Sequence, residues 1–161
     1  MEEFADFSYA NPVAGQTSWD APGGSGYGFT ASASAGLWAN DGVLSVVDSD
    51  AQVSLAFSGA TVSAFGGYFA NTDITGAFIP GTVTFAVSSG DSQVVSVGSG
   101  PVFIGWVGAP ITSASLLASS ADPANFVQLD HLIVGAAPVP EPATLLAFAA
   151  MTFGLLRRKS R

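Results

Sequence analysis

Cysteine is absent, and lysine and arginine are absent until the last five residues. The first absence excludes disulfides, thiolate metal sites and thiol catalysis. The second excludes internal Lys or Arg salt bridges over most of the chain. It also removes the groups that neutralise phosphates, so nucleic acid is not a partner. Residues 1–140 hold eleven of the twelve acidic residues and neither Lys nor Arg, a formal charge of −11 with His131 neutral. Self-repulsion of that size is relieved by bound cations, and structural Ca²⁺ is the candidate cofactor. Charged residues are only 10% of the 161, against roughly 25% in an ordinary domain. At 48% hydrophobic, the chain can still bury a core, which separates it from disordered sequences.

The basic residues it does have are Arg157, Arg158, Lys159 and Arg161, and they close a three-part tail. Pro138, Pro140 and Pro142 come first and enforce an extended strip, because proline fixes φ and disfavours helix in the residue before it. Residues 143–156 follow without a charge, and only Thr144 and Thr152 are polar. A surface helix needs a polar face, and this stretch has none. As a helix it spans about 21 Å, against a hydrocarbon core of roughly 30 Å. Snorkelling arginines and local thinning close that gap. A short C-terminal transmembrane helix is therefore expected, anchored by Ala143, Leu145, Leu146, Phe148, Met151, Phe153, Leu155 and Leu156. The basic cluster stops transfer and stays in the cytoplasm, which places residues 1–137 across the membrane.

Val139-Pro140-Glu141-Pro142-Ala143-Thr144, the apolar stretch and Arg157-Arg158-Lys159 together resemble the PEP-CTERM sorting signal. The resemblance covers residues 138–161 alone. It implies an exosortase-type membrane protease as partner, with Val139, Pro140, Glu141 and Pro142 as the recognised strip. It also implies an exported, inner-membrane-anchored precursor of a Gram-negative cell, cleaved near this strip and passed to the cell surface or the extracellular matrix of a biofilm. Export requires an N-terminal signal, and Met1-Glu2-Glu3-Phe4-Ala5-Asp6 is acidic with no apolar run. The expected start thus lies upstream of Met1, the alternative being a tail anchor inserted after synthesis.

Residues 1–137 read as one all-β domain. Val53, Leu55 and Phe57 alternate with small residues, and so do Val83, Phe85 and Val87, the period of half-buried strands. Further strands are expected over 42–47, 61–69, 92–97, 102–107, 112–118 and 126–134. Turn signals separate them, including Asp41-Gly42, Asp48-Ser49-Asp50, Ser58-Gly59, Ser89-Gly90 and the stretch 108–110. About eight short strands argue an antiparallel β-sandwich, jelly-roll-like. Residues 11–36, rich in Gly, Ser and Ala, are expected to form a long loop or irregular strands. The stretches 61–69 and 126–132 also loosely resemble the sandwich domains of PEP-CTERM proteins, which are similar to carbohydrate-binding modules and lectins.

Catalysis finds little footing. His131 is the sole histidine, and period-2 counting puts it on one face with Val127, Leu129 and Ile133, as a structural histidine. Neither a G-x-S-x-G nor an H-E-x-x-H motif occurs, and Gly24-Ser25-Gly26-Tyr27-Gly28 lacks the lysine of a phosphate loop. For Ca²⁺, the oxygen donors considered are Asp48 and Asp50, which open like an EF-hand loop without its glycine, and Asp130 meeting Glu3 or Asp6 of the first segment. Plain solvated carboxylates are the alternative. Trp19, Tyr27 and Trp38 lie in loop-like segments and are the candidate sugar-stacking residues, while Trp106 belongs to the core. The expected function is a non-catalytic surface or matrix protein, with exopolysaccharide as a possible ligand. A small polysaccharide hydrolase and a self-associating structural protein are the alternatives.

Overall fold

The computed structural model describes residues 2–4, 15–21, 26–40 and 42–137. The sorting strip, the apolar stretch, the basic cluster and Asp6 all lie outside the described residues. Within them the chain is the expected all-β, antiparallel, two-sheet sandwich. One sheet contains β1 (Glu2–Phe4), β4 (Leu37–Asn40), β5 (Val43–Val46), β7 (Val62–Thr72), β10 (Val102–Ile111) and β12 (Phe126–Gly135). Its order is β10-β7-β12-β5-β4, with β1 paired to β12 as well. The second sheet runs β2 (Ser18–Ala21), β3 (Tyr27–Ser32), β6 (Val53–Gly59), β11 (Ser113–Ser119), β8 (Gly81–Val87), β9 (Ser92–Val97).

Alternation decides which way each strand faces. Val83, Phe85 and Val87 of β8 are buried, as are Ala114, Leu116 and Ala118 of β11. From the other sheet Leu44, Phe65, Phe69, Leu129 and Val134 meet them. Phe65 and Phe85 stack across the two layers with ring centroids 5.1 Å apart and planes 9° apart, and Phe57 and Phe69 tilt against Phe65. Turn chemistry fixes the register. Gly42 (φ 83°) closes the β4–β5 hairpin after Asp41, and Gly90 (φ 96°) closes β8–β9.

All eight expected strands are present, and the sandwich adds four before residue 41. Of the two readings of the stretch 11–36, strands are present in its described part: it contains β2 and β3, which extend the second sheet past β6. Trp19, Tyr27 and Phe29 are their only large apolar side chains, set among Gly, Ser, Thr, Ala and Asp20, and the pairing of β2 with β3 and of β3 with β6 places them. The turn expected at 108–110 is instead an irregularity within β10, whose pairing with β7 shifts between Val107 and Ile111.

His131 departs from its expected place. The β12 pairing with β7 shifts between Asp130 and Ile133, so His131 and Leu132 together oppose Gly67. His131 takes φ 47°, the conformation usual for glycine in a bulge of this type. Beyond the bulge the inward positions are Leu132 and Val134 rather than His131 and Ile133. The histidine side chain is 44% exposed, so it is not a core histidine.

Candidate functional site

The outward face of the β10-β7-β12-β5-β4 sheet concentrates large exposed aromatic rings. Leu37, fully buried, turns Trp38 outward on β4, where it is 40% exposed. Phe69, fully buried, does the same for Tyr68 on β7, 43% exposed. Ile104 does so for Phe103 on β10, 51% exposed. Register joins them into one surface. Tyr68 lies opposite Phe103 on one side and Asp130 on the other. Trp38 lies opposite Ser45, and Leu44 opposite Leu129, so Ser45 and Gln128 are neighbours on this face.

Two clusters result. In the first, the Tyr68 and Phe103 rings meet edge to face at 5.5 Å, and Tyr68 meets the His131 imidazole edge to face at 6.0 Å. Phe103 lies down over the sheet because Gly66 and Gly105, paired beneath it, carry no Cβ. One added at either position would come within 3.0 or 3.1 Å of the ring. Asp130 Oδ1 accepts from the His131 backbone N–H at 2.7 Å and sits 2.7 Å from His131 Nδ1. A carboxylate only accepts, so Nδ1 carries the proton of this contact. The bulge that costs His131 its ordinary backbone conformation is what brings the imidazole beside Tyr68.

The second cluster is a depression of ≈ 250 Å³ beside Trp38, lined also by Ser45, Thr72, Asp73, Ile74, Phe126 and Gln128. Ile74 stands 81% exposed at its rim. Asp73 Oδ1 accepts from Thr75 Oγ1 (2.7 Å), Thr75 N (2.8 Å) and Ala77 N (3.0 Å). The Thr75 hydroxyl chiefly, together with these backbone N–H groups, holds the Asp73 carboxyl below its ordinary value against the opposing desolvation. Asp73 is therefore a carboxylate acceptor at neutral pH. Between the clusters the sheet surface is low. The side chains there are small, Ala70 (2% exposed) and Ser45 (3%), and the Ser45 hydroxyl is spent on the Val127 carbonyl at 2.9 Å.

Of the three aromatics singled out from sequence, only Trp38 lies here. Trp19 is on β2 and Tyr27 on β3, in the other sheet. Both are half-buried against the core, Trp19 edge-on to Phe29 at 5.7 Å. They were expected in loops, but strands claim them. Trp106 packs against the core as expected. Tyr68 is legible in retrospect, since Phe65, Gly67 and Phe69 inward put it outward. Phe103 is not, because every residue from Val102 to Val107 except Gly105 is apolar and alternation has nothing to report.

Of the carboxylates considered for Ca²⁺, Asp48, Asp50 and Asp130 are described, and Asp6 and the Glu3 side chain lie outside the described residues. Asp50 Oδ1 takes the Asn125 amide at 2.9 Å, Asp48 is exposed in the same turn, and Asp130 is engaged by His131. The backbone of Glu3 lies opposite Ile133, so the first and last strands do meet. Among the described residues no three His, Asp or Glu side chains are placed to hold a metal ion.

No family model matches the chain, and no curated protein matches it. Among solved structures it is similar to a mutant of a family 29 carbohydrate-binding module complexed with mannohexaose. That likeness has a TM-score of 0.47 and 11% identity, over 71% of this chain and 89% of that one. It is also similar to a family two carbohydrate esterase from Cellvibrio japonicus, with a TM-score of 0.42 and 10% identity over 71% of this chain. It spans only 37% of the esterase's length.

Proposed function

We propose that this is a non-catalytic, exported surface or matrix protein that binds glycan on the outward face bearing Trp38, Tyr68 and Phe103. The observation that carries the reading is the set of three exposed aromatic rings on one sheet face, flanked by Gln128, Asp73, Asp130 and His131. Sugar rings present apolar C–H faces and a rim of hydroxyls. Flat aromatic surface takes the faces, and fixed acceptors take the hydroxyl protons. Exposing three such rings on a soluble domain costs solubility unless something covers them. The spacing of the carboxylates supports a binding rather than a hydrolytic role. Asp73, just past the end of β7, lies five residues from Tyr68, the partner of Asp130, about 17 Å away at strand rise. Glycoside hydrolysis needs a carboxylate pair within about 5–9.5 Å.

The test is retention on polysaccharide. Trp38→Ala and Tyr68→Ala are each expected to weaken binding about tenfold or more, as central aromatic anchors do. Val94→Ala, at an exposed position on the opposite sheet, leaves it unchanged. Wild-type affinity in both aromatic variants would remove the face from consideration.

The sorting half of the proposal rests on residues 138–161, whose order of prolines, apolar stretch and basic cluster fits an exosortase substrate. Intact mass of the mature protein, made in its native host from the full upstream frame, is expected to lack the segment after about Pro140. A mass that includes Arg161 would mean a lasting membrane anchor instead of release.

A further inference from the structure

We infer that the aromatic face takes internal stretches of an uncharged polysaccharide, long enough to bridge both clusters, and excludes polymers bearing carboxylate or sulfate. This deepens the glycan-binding reading and rests on it.

The charge argument comes first. An acidic sugar bound on a protein face needs a cationic partner or a bridging metal ion. Residues 1–137 contain no Lys or Arg, and the one imidazole, His131, already gives its Nδ1 proton to Asp130. No three acidic or imidazole groups among the described residues come together for a bridging ion. The formally charged groups beside the rings are the Asp73 and Asp130 carboxylates, acceptors that suit neutral hydroxyls and repel a uronate, and Gln128 adds only a neutral amide. The net negative charge of the whole domain adds to that repulsion over the distance that salt leaves unscreened.

The length argument follows from the register. Trp38 is three strands from Tyr68 and two residues offset along them, about 16 Å, and Phe103 is one strand further. A single sugar ring reaches one cluster only. Between the clusters Ala70 and Ser45 form a low floor, and the face described here is an open sheet surface rather than a closed cavity. A chain can therefore lie across it and continue past either side, so recognition does not require a chain end. Joining two weak contacts through one ligand raises affinity steeply once the ligand spans both.

Native affinity electrophoresis tests the charge half. The domain is run through gels containing a soluble β-glucan, a galactomannan or a xylan, and through gels containing alginate or polygalacturonate, each with and without Ca²⁺. Retardation by at least one neutral polymer and by neither anionic one is the expected result. Calorimetry with oligosaccharides of the retained polymer tests the length half. Affinity is expected to rise at least tenfold from the disaccharide to the hexasaccharide, and Trp38→Ala is expected to flatten that rise. Retardation by alginate or polygalacturonate that Tyr68→Ala abolishes would keep the glycan face and overturn its ligand class. Full affinity already at the disaccharide would overturn the bridging geometry. Absence of retardation by any of the five polymers would take down the glycan reading itself, and this inference with it.

Discussion

Phe85→Ala is expected to destabilise the domain by about 3–5 kcal/mol, enough to remove a large share of the roughly 5–15 kcal/mol that holds an ordinary domain folded. Phe85 is 1% exposed and stacks on Phe65 at 5.1 Å, a ring pair that joins the two sheets. Three contributions are lost together: the transfer free energy of a fully buried ring, the cavity it leaves, and the ring–ring contact itself. The cavity closes poorly. Its walls are Phe65 and its neighbours on β7, and β7 is clamped on both sides by β10 and β12. For a domain of this size the midpoint of thermal unfolding falls by about 10–20 °C. Urea unfolding of Phe85→Ala against Val94→Ala, 63% exposed on the same sheet, makes the comparison. The exposed control stays within about 0.5 kcal/mol of wild type. A loss below about 1 kcal/mol at Phe85 would mean that the two sheets are not joined through this stack.

The same alternation that makes Phe85 legible as core explains how far sequence reasoning reaches. Val53, Leu55, Val83, Phe85 and Val87 write their burial into a period of two, and all five are buried. Trp38 was singled out as exposed, and it is. The failures share a physical cause, which is that local pattern does not encode pairing. β2 and β3 are built from Ser, Ala, Gly and Thr around a few aromatics. Pairing makes them strands, β3 with β6 and β2 with β3, and it turns Trp19 and Tyr27 onto the core. Counting in twos puts His131 on the face of Val127, Leu129 and Ile133, and one extra residue in β12 reverses the count. Nothing near Asp130 and His131 signals that extra residue, since the αL position it creates is filled by histidine rather than glycine. The aromatic face needed both corrections. Tyr68 and Phe103 come together only through the register of β7 with β10, and His131 joins them only through the bulge.

Asn125→Ala is expected to cost about 3 kcal/mol, although the residue contributes almost no apolar surface. Asn125 is 4% exposed and ties three segments together. Its Nδ2 donates to Asp50 Oδ1 at 2.9 Å and to the Asp122 carbonyl at 3.1 Å, and its Oδ1 accepts from Asn71 Nδ2 at 2.8 Å. The backbone repeats the link, with Asp50 N donating to the Asn125 carbonyl at 2.7 Å. Asn71 is fully buried, and its Oδ1 has no hydrogen-bond partner. Truncating Asn125 would leave the rest of the Asn71 amide unpaired as well, and a buried polar group without a partner costs about 1–3 kcal/mol. The Asp50 carboxylate loses its amide donor at the same time. A double-mutant cycle separates this from simple loss of packing. Once Asn71 is alanine, no amide remains to be orphaned, so Asn71→Ala with Asn125→Ala should cost less than the two single losses added, by about 1–2 kcal/mol. Strict additivity would mean that the two amides are independent and that the orphaned-group argument is wrong. The consequence reaches the face as well. Asn125 immediately precedes Phe126, which lines the depression beside Trp38. Loosening this tie is therefore expected to disturb the depression beside Trp38, and with it the proposed glycan contact there, while the Tyr68–Phe103 pair keeps its own seat on Gly66 and Gly105.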